Sequence, residues 1–348
     1  MEAETAKAKT AGPALSLKRA ITAHNPQGPF FFPCRLINHL VHFAKGRHGD
    51  DASGRHDKNK RRIFMTQIDK KSVLAGLIGS GIQASRTPAL HEHEGDALGI
   101  RYLYRLIDID ALGLDIAALP RLLEGAQTCG FTGLNITFPC KQAVIPLLDE
   151  LSDEARGIGA VNTVVFRDGK RIGHNTDCLG FAEGFERGLA GTARQRVVQM
   201  GAGGAGAAVA HALLGAGVEC LTIFEVETAR AQGLVDNLNA HFGAGRAQLG
   251  RDLSAAMAEA DGLVNTTPVG MAKLPGTPLP VELLREALWV AEIIYFPLET
   301  ELLKHARALG CRTLDGSTMA VFQAVKAFEL FSGQPADAER MMAHFHSL

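Results

Sequence analysis

From residue 66 onward, short apolar runs alternate with longer segments whose apolar positions recur at helical spacing. The run at 74–78 ends in Gly79-Ser80-Gly81 and reads as a buried strand entering a loop, with a helix expected to start near Pro88. Further strands are expected at 102–107, 133–137 and 160–166, separated by helical spacing at 116–124 and 143–151. Such alternation argues for a largely parallel sheet and hence an α/β fold. A helical stretch at 177–189 then leads into Val197-Val198-Gln199-Met200, which reads as a first strand for the second time. Alternation resumes through apolar runs at 221–224, 262–265 and 289–294. That restart predicts a boundary between two domains.

Composition agrees with two globular units, since 348 residues exceed the usual single-domain size and 46% are hydrophobic. A formal net charge of −1 gives no global pull toward nucleic acid or an anionic membrane, which leaves small-molecule chemistry as the default. The six cysteines are scattered singly, without the paired short spacings of a zinc site or the density of a secreted scaffold, and read as reduced thiols. No apolar run reaches the roughly 18 residues that a membrane helix needs, so a cytoplasmic protein is expected. Residues 1–64 have a different texture. They combine an apolar patch at Phe30-Phe31-Phe32-Pro33 with a polar, charged stretch at 46–62, and they read as a disordered extension, either a functional tail or an overextended reading frame.

Gly201-Ala202-Gly203-Gly204-Ala205-Gly206 lies between the second first strand and the Ala-rich helical run at 207–215. A dinucleotide fingerprint belongs in that place: glycines permit the tight turn and the close approach of a pyrophosphate, and the helix N-terminus presents free amides to it. Alone the pattern would equally suit an ordinary glycine turn; the flanking strand and helix favour the nucleotide. Nineteen residues after Gly206 stands Glu225, at the end of the next apolar run. A carboxylate there accepts hydrogen bonds from adenosine ribose hydroxyls and repels a 2′-phosphate. No Arg or Lys follows before Arg230, so NAD is expected over NADP, with Glu227 an alternative to Glu225.

Two further segments place polar groups beside apolar strands: Asn135-Ile136-Thr137-Phe138-Pro139-Cys140-Lys141 and Gly173-His174-Asn175-Thr176-Asp177. At the carboxyl end of a parallel strand, Asn135, Thr137 and Lys141 would face the crevice where open α/β sheets bind ligands and could hydrogen-bond a polyol. Oxidising a secondary alcohol requires a group that takes the hydroxyl proton, and a lysine, with its ordinary pKa of ~10.4, needs a tuned environment to do so. Lys141 and Asp177 are a candidate pair, and any single one of them would otherwise read as a surface charge.

These segments, with Ser85-Arg86-Thr87-Pro88, Gly159-Ala160-Val161-Asn162-Thr163, Asn265-Thr266-Thr267-Pro268, Tyr295-Phe296-Pro297 and Asp315-Gly316-Ser317-Thr318-Met319, resemble in order the motifs of the shikimate/quinate dehydrogenase family over roughly residues 72–348. The resemblance implies that Lys141 and Asp177 form the catalytic pair. It implies that Ser85 and Thr87 hold the substrate carboxylate, that Thr137, Asn162 and Gln323 bind ring hydroxyls, and that Tyr295 lies near the carboxylate end. For the cofactor it implies contacts from residues 201–206 and Glu225, with Thr266, Gly316 and Met319 completing them and the 265–271 segment beside the nicotinamide. It also implies an α/β substrate domain at 65–176, completed by 315–348, around a Rossmann-type doubly wound domain at 177–314. Thr87, where many shikimate-specific members carry serine, and Glu225 make the chain most similar to the NAD-using quinate/shikimate subgroup. Quinate and shikimate are the substrates implied.

Two other functions fit the same motifs: an NADP-dependent shikimate dehydrogenase of aromatic amino-acid biosynthesis, and a non-catalytic regulator that senses quinate or shikimate. An intact Lys141 and Asp177 argue against the regulator. A metal reading of His91-Glu92-His93 fails on spacing, since it lacks the His-Glu-x-x-His pattern. Phe322, Phe328, Phe331 and Trp289 read as core. A homodimer is compatible with the sequence, which does not require one.

Overall fold

The structure is a computed structural model that describes residues 71–348; the expected disordered extension at 1–64 lies outside the described residues. All described residues belong to one compact unit, Arg62–Leu348. Its strands among the described residues are β1 (Ser72–Gly79), β2 (Arg101–Asp108), β3 (Gly133–Ile136), β4 (Glu150–Leu151), β5 (Thr163–Arg167), β6 (Lys170–His174), β7 (Arg196–Met200), β8 (Cys220–Phe224), β9 (Ala247–Leu249), β10 (Gly262–Asn265), β11 (Trp289–Glu292) and β12 (Arg312–Leu314). They form two sheets, ordered β2-β1-β3-β5-β6-β4 and β12-β11-β10-β7-β8-β9. The fold is α/β in two sheet-centred domains.

The second sheet is parallel throughout, and counted from β7 its order is that of a doubly wound Rossmann sheet, with the reversal between β7 and β10. Its central strands β10 and β11 are buried at every position, as expected for strands covered on both faces. The first sheet departs from the parallel expectation. While β1, β2 and β3 run parallel, β5 is antiparallel to both β3 and β6. The β5–β6 pairing follows from the two-residue turn Asp168-Gly169, with φ of 51° and 78°: positive φ at both central positions gives the turn twist that joins adjacent antiparallel strands.

Helical spacing at 143–151 also misleads. The helix Cys140–Ala143 is followed by a 3-10 turn at Ile145–Leu147 and then by β4, because Pro146 supplies no amide for a continuing helix. The expected strand at 160–166 begins only at Thr163. Val161 and Asn162 bond instead to Lys141 and His174 through their amides, at 2.9 and 3.1 Å.

Two helices tie the sheets together. Thr176–Gly188 starts at Asn175, whose side chain accepts from the Cys178 amide, and it carries Asp177 in its first turn where a carboxylate favours the helix dipole. Its Phe181 and Phe185 pack into the core of the second sheet, Phe185 edge-on to Trp289 at 5.1 Å. Gly180, Gly184 and Gly188, at four-residue spacing, form a seam on the same helix. A β-carbon there would lie 2.6 Å from the Gln323 amide, the Thr318 hydroxyl or a Leu314 methyl, respectively, so glycine admits the helix Gly316–Ser332 at close range. The latter helix is buried on nearly all sides, and its Phe328 and Phe331 fill the core over β1 and β2. The terminal helix Ala338–Ser347 is pinned by Arg340, which gives two 2.7 Å hydrogen bonds to the fully buried Glu94.

Candidate active site

At the strand-order reversal, β7 runs into Gly201, with φ of +99°, and the chain enters the helix Gly204–Gly215 without a side-chain cap. Uncapped first-turn amides and their dipole make an anion-receptive end. A β-carbon at Gly201 would come 2.8 Å from the Thr266 hydroxyl, and one at Gly206 would sit 2.8 Å from the Gly201 carbonyl oxygen. A β-carbon at Gly203 would meet open space, which leaves room for a ligand backbone to approach. Glu225 comes to this turn from the end of β8: its Oε2 accepts from the Ala202 amide at 2.9 Å and its Oε1 from the Glu227 amide at 3.2 Å. Arg230 bonds to Glu227 and lies 3.8 Å from Glu225.

Lys141 stands at the carboxyl end of β3, on the short helix Cys140–Ala143. Its Nζ donates to Asp177 Oδ2 at 2.6 Å, with the two side chains only 16% and 9% exposed. The aliphatic stem passes over the glycine turn, its Cδ 3.3 Å from where a Gly204 β-carbon would be. An amine, a carboxylate and a dinucleotide-type turn therefore share one locus. Beside Asp177, burial first and the carboxylate's charge next push the Cys178 thiol up to about 12, which keeps it protonated.

Ser85 and Thr87 are half-buried, and Ser85 Oγ donates to Thr87 Oγ1 at 3.0 Å. Thr137 is half-buried next to Gly79, where any β-carbon would collide with its methyl group. Tyr295, 38% exposed, follows β11; loss of solvent around its phenol raises its pKa, the Asp177 charge raises it further, and Arg86 opposes both. Gln323 lies on the helix packed at Gly180, one turn from Asp177, and donates to the Ala320 carbonyl at 3.0 Å. Met319 and Gly316 open that same helix; Met319 packs into the second-sheet core and Gly316 against the Ile293 and Ile294 carbonyls.

Three residues expected at the ligand are engaged by the protein itself. Asn162 is buried, its Oδ1 accepting from the Thr176 amide at 2.7 Å and its Nδ2 donating to the Thr176 hydroxyl at 2.9 Å. Asn135 accepts from the Tyr104 hydroxyl at 2.6 Å and donates to Thr163 at 3.0 Å. Together they support the helix start that holds Asp177. The Thr266 hydroxyl donates to the Met200 and Gly201 carbonyls at 2.7 and 3.1 Å, bracing the turn from below.

Sequence reasoning missed Glu292, at the end of β11. Burial pushes its carboxyl up to about 7, against hydrogen bonds from Asn265, the Ile293 and Ile294 amides and Thr300 that favour the charged form. A lone carboxylate inside an apolar strand run was its signal. Of the histidines weighed as metal ligands, His91 is fully buried against Tyr102 and His93 stacks on His344.

Known proteins resemble this chain in sequence and fold. Residues 77–164 match the model of the shikimate dehydrogenase substrate binding domain, and 316–344 that of the shikimate 5′-dehydrogenase C-terminal domain. The chain is 57% identical to a shikimate dehydrogenase (NADP(+)) from Streptomyces avermitilis, over 81% of this chain and 97% of that one. It is 52% identical to a quinate/shikimate dehydrogenase (NAD(+)) from Corynebacterium efficiens, over 81% of this chain and all of that one. Among solved structures, the quinate dehydrogenase from Corynebacterium glutamicum in complex with NAD superposes with a TM-score of 0.76 at 50% identity, covering 80% of this chain and 100% of that one.

Proposed function

The chain belongs to the shikimate dehydrogenase family of NAD(P)-dependent dehydrogenases acting on a CH–OH group, and from that premise we propose that it interconverts quinate with 3-dehydroquinate and shikimate with 3-dehydroshikimate, preferring NAD. The 2.6 Å Lys141–Asp177 contact over Gly204 carries this reading. A bound NAD would supply the hydride acceptor. In oxidation, Lys141 Nζ takes the proton from the substrate hydroxyl as the carbon-bound hydrogen leaves; in reduction the ammonium returns it to the carbonyl oxygen. Asp177 accepts from the Lys141 amine and so holds it against that hydroxyl. Ser85 and Thr87 hold the carboxylate, with Tyr295 beside it, while Thr137 and Gln323 bind ring hydroxyls and Asn162 offers them the one amide hydrogen that its bond to Thr176 leaves free. The domains run 65–176 with 315–348 for substrate, and 177–314 for cofactor.

The glycine turn and the amides of residues 203–206 would hold the pyrophosphate, and Glu225, anchored by the Ala202 amide, the adenosine ribose. Thr266, Gly316 and Met319 would line the cofactor's remaining path. NAD preference rests on Glu225, already anchored at the turn, and on Arg230, which is drawn toward Glu227. One observation favours the NADP reading: Arg230 stands 3.8 Å from Glu225 and would face a 2′-phosphate if that carboxylate swung aside. A cytoplasmic setting suits the cysteines, which are unpaired among the described residues.

The test is an initial-rate panel of quinate and shikimate against NAD and NADP, with 3-dehydroshikimate against NADH and NADPH. NAD reduction with both hydroxy acids, at least about tenfold more efficient than NADP reduction, is expected. Shikimate turnover with NADP alone would replace this reading with the biosynthetic one, and saturable binding without turnover would leave only a sensor.

A further inference from the structure

Gln199 is the polar residue among the buried positions of β7, following Val197 and Val198 on a strand whose charged Arg196 is exposed at its start, and it is fully buried. Both hydrogens of its side-chain amide are used on the glycine turn: Nε2 donates to the Gly201 carbonyl and to the Gly206 carbonyl, each at 2.9 Å. One NH₂ group thus bridges the first and last glycines of the fingerprint. Its Oε1 has no hydrogen-bond partner. Turning the amide over would set that oxygen against two carbonyl oxygens, so the orientation is forced. A buried amide with an unpaired oxygen weakens a core, and an apolar side chain of the same length would serve β7 better.

The peptide geometry gives the contact its meaning. In a trans peptide the C=O and N–H point in opposite directions. Gln199 and Thr266 together hold the Gly201 carbonyl inward, at 2.9 and 3.1 Å. That aims the Ala202 N–H outward, where it donates to Glu225 at 2.9 Å. The Gly206 bond in turn fixes the first turn of the helix whose amides face the turn.

Building on the dinucleotide reading above, we propose that Gln199 is a positioning residue for the cofactor: it sets the peptide plane that presents the Ala202 amide and, through it, the Glu225 carboxylate to the adenosine half of NAD. It touches no ligand. Removing it leaves the Gly201 carbonyl with Thr266 and the Gly206 carbonyl with its own helix, so no backbone group is orphaned.

The test compares wild type with Gln199→Met by calorimetric titration of NAD and of ADP-ribose, by KM for NAD and for quinate, and by melting temperature. Expected for Q199M are a rise of about tenfold in the dissociation constants of both ligands and in the KM for NAD, a KM for quinate within about twofold, and a melting temperature equal or higher. A residue that merely supported the fold would lower the melting temperature without separating the two KM values. Wild-type affinity in Q199M, or an equal loss for both substrates, overturns the proposal. Wild-type protein that binds neither NAD nor NADP overturns the dinucleotide reading itself. Should Q199M not fold, Thr266→Val removes the other donor to the same carbonyl; about threefold weaker binding of ADP-ribose, which lacks the nicotinamide end that Thr266 itself would line, supports the plane-setting role, and unchanged ADP-ribose binding overturns it.

Discussion

Gly180 tests how tightly the two connecting helices hold the site. Replacing it with alanine puts a β-carbon 2.6 Å from the Gln323 amide nitrogen and 2.9 Å from the Met319 carbonyl oxygen. Both are backbone atoms, so no side-chain rotation relieves the clash. An ordinary 3.4 Å contact requires the helix Gly316–Ser332 to retreat by about 0.8 Å (3.4 − 2.6), one turn from Asp177. Alanine gains about 1 kcal/mol in helix propensity, whereas overpacking typically costs about 1–3 kcal/mol, so the net expectation is a loss of about 0–2 kcal/mol. Displaced Gln323 should lower kcat/KM by roughly tenfold, since misplacement on the order of 1 Å can cost up to about a hundredfold. Gly233 supplies the internal control: it lies in the exposed part of the helix Thr228–Phe242, with nothing within 4 Å of its would-be β-carbon. Gly233→Ala should therefore gain about 0.5–1 kcal/mol and leave turnover alone. Urea unfolding and initial rates on both variants decide the matter. A Gly180→Ala protein as stable and as active as wild type would refute the seam.

Two other expectations follow from single carboxylates. Glu225→Ala should raise the KM for NAD by about tenfold and narrow the preference over NADP, because it removes the ribose acceptor and the repulsion of a 2′-phosphate together; KM values for both cofactors test this, and an unchanged ratio would discard Glu225 as the discriminator. Glu292 titrates near 7 in the fold against 4.5 unfolded, so the folded state holds more protons between those values and stability falls as pH rises through that window, with no contribution from this group below it. The full drop is on the order of 3 kcal/mol. Denaturant midpoints from pH 5 to 8 should show it in wild type and lack it in Glu292→Gln, and parallel profiles would assign the pH dependence elsewhere.

Much of the molecule was legible in the sequence because its signals are local. The apolar run, the glycine turn and the Ala-rich helix after it are contiguous, so β7 and its successor read directly as a dinucleotide unit. What misled was punctuation passed over: Pro146 stops the helix that spacing suggested at 143–151, and Asp168-Gly169 carried the hairpin that makes the first sheet mixed. Lys141 and Asp177 are 36 residues apart, and no pattern at that distance states that two side chains touch; family motifs supplied the pairing and the geometry the 2.6 Å. Asn162, Asn135 and Thr266 show the opposite limit. Residue type identifies them as hydrogen-bonding groups, but only three-dimensional neighbours reveal that Thr176, Thr163 and the Gly201 carbonyl engage them. Gln199 was visible as a polar residue after the apolar Val197 and Val198, and nothing in one dimension says that its amide spans the glycine turn.

Lys141→Met is the most direct probe of the proton-transfer pair, because methionine keeps an unbranched stem against Gly204 while removing the amine. The turnover number should be measured at saturating NAD with quinate and with shikimate, alongside the dissociation constant for NAD. Loss of at least about a hundredfold in turnover with nucleotide affinity within about twofold is the expected result. A variant that retains turnover within a few-fold of wild type would contradict Lys141 as the group that moves the proton.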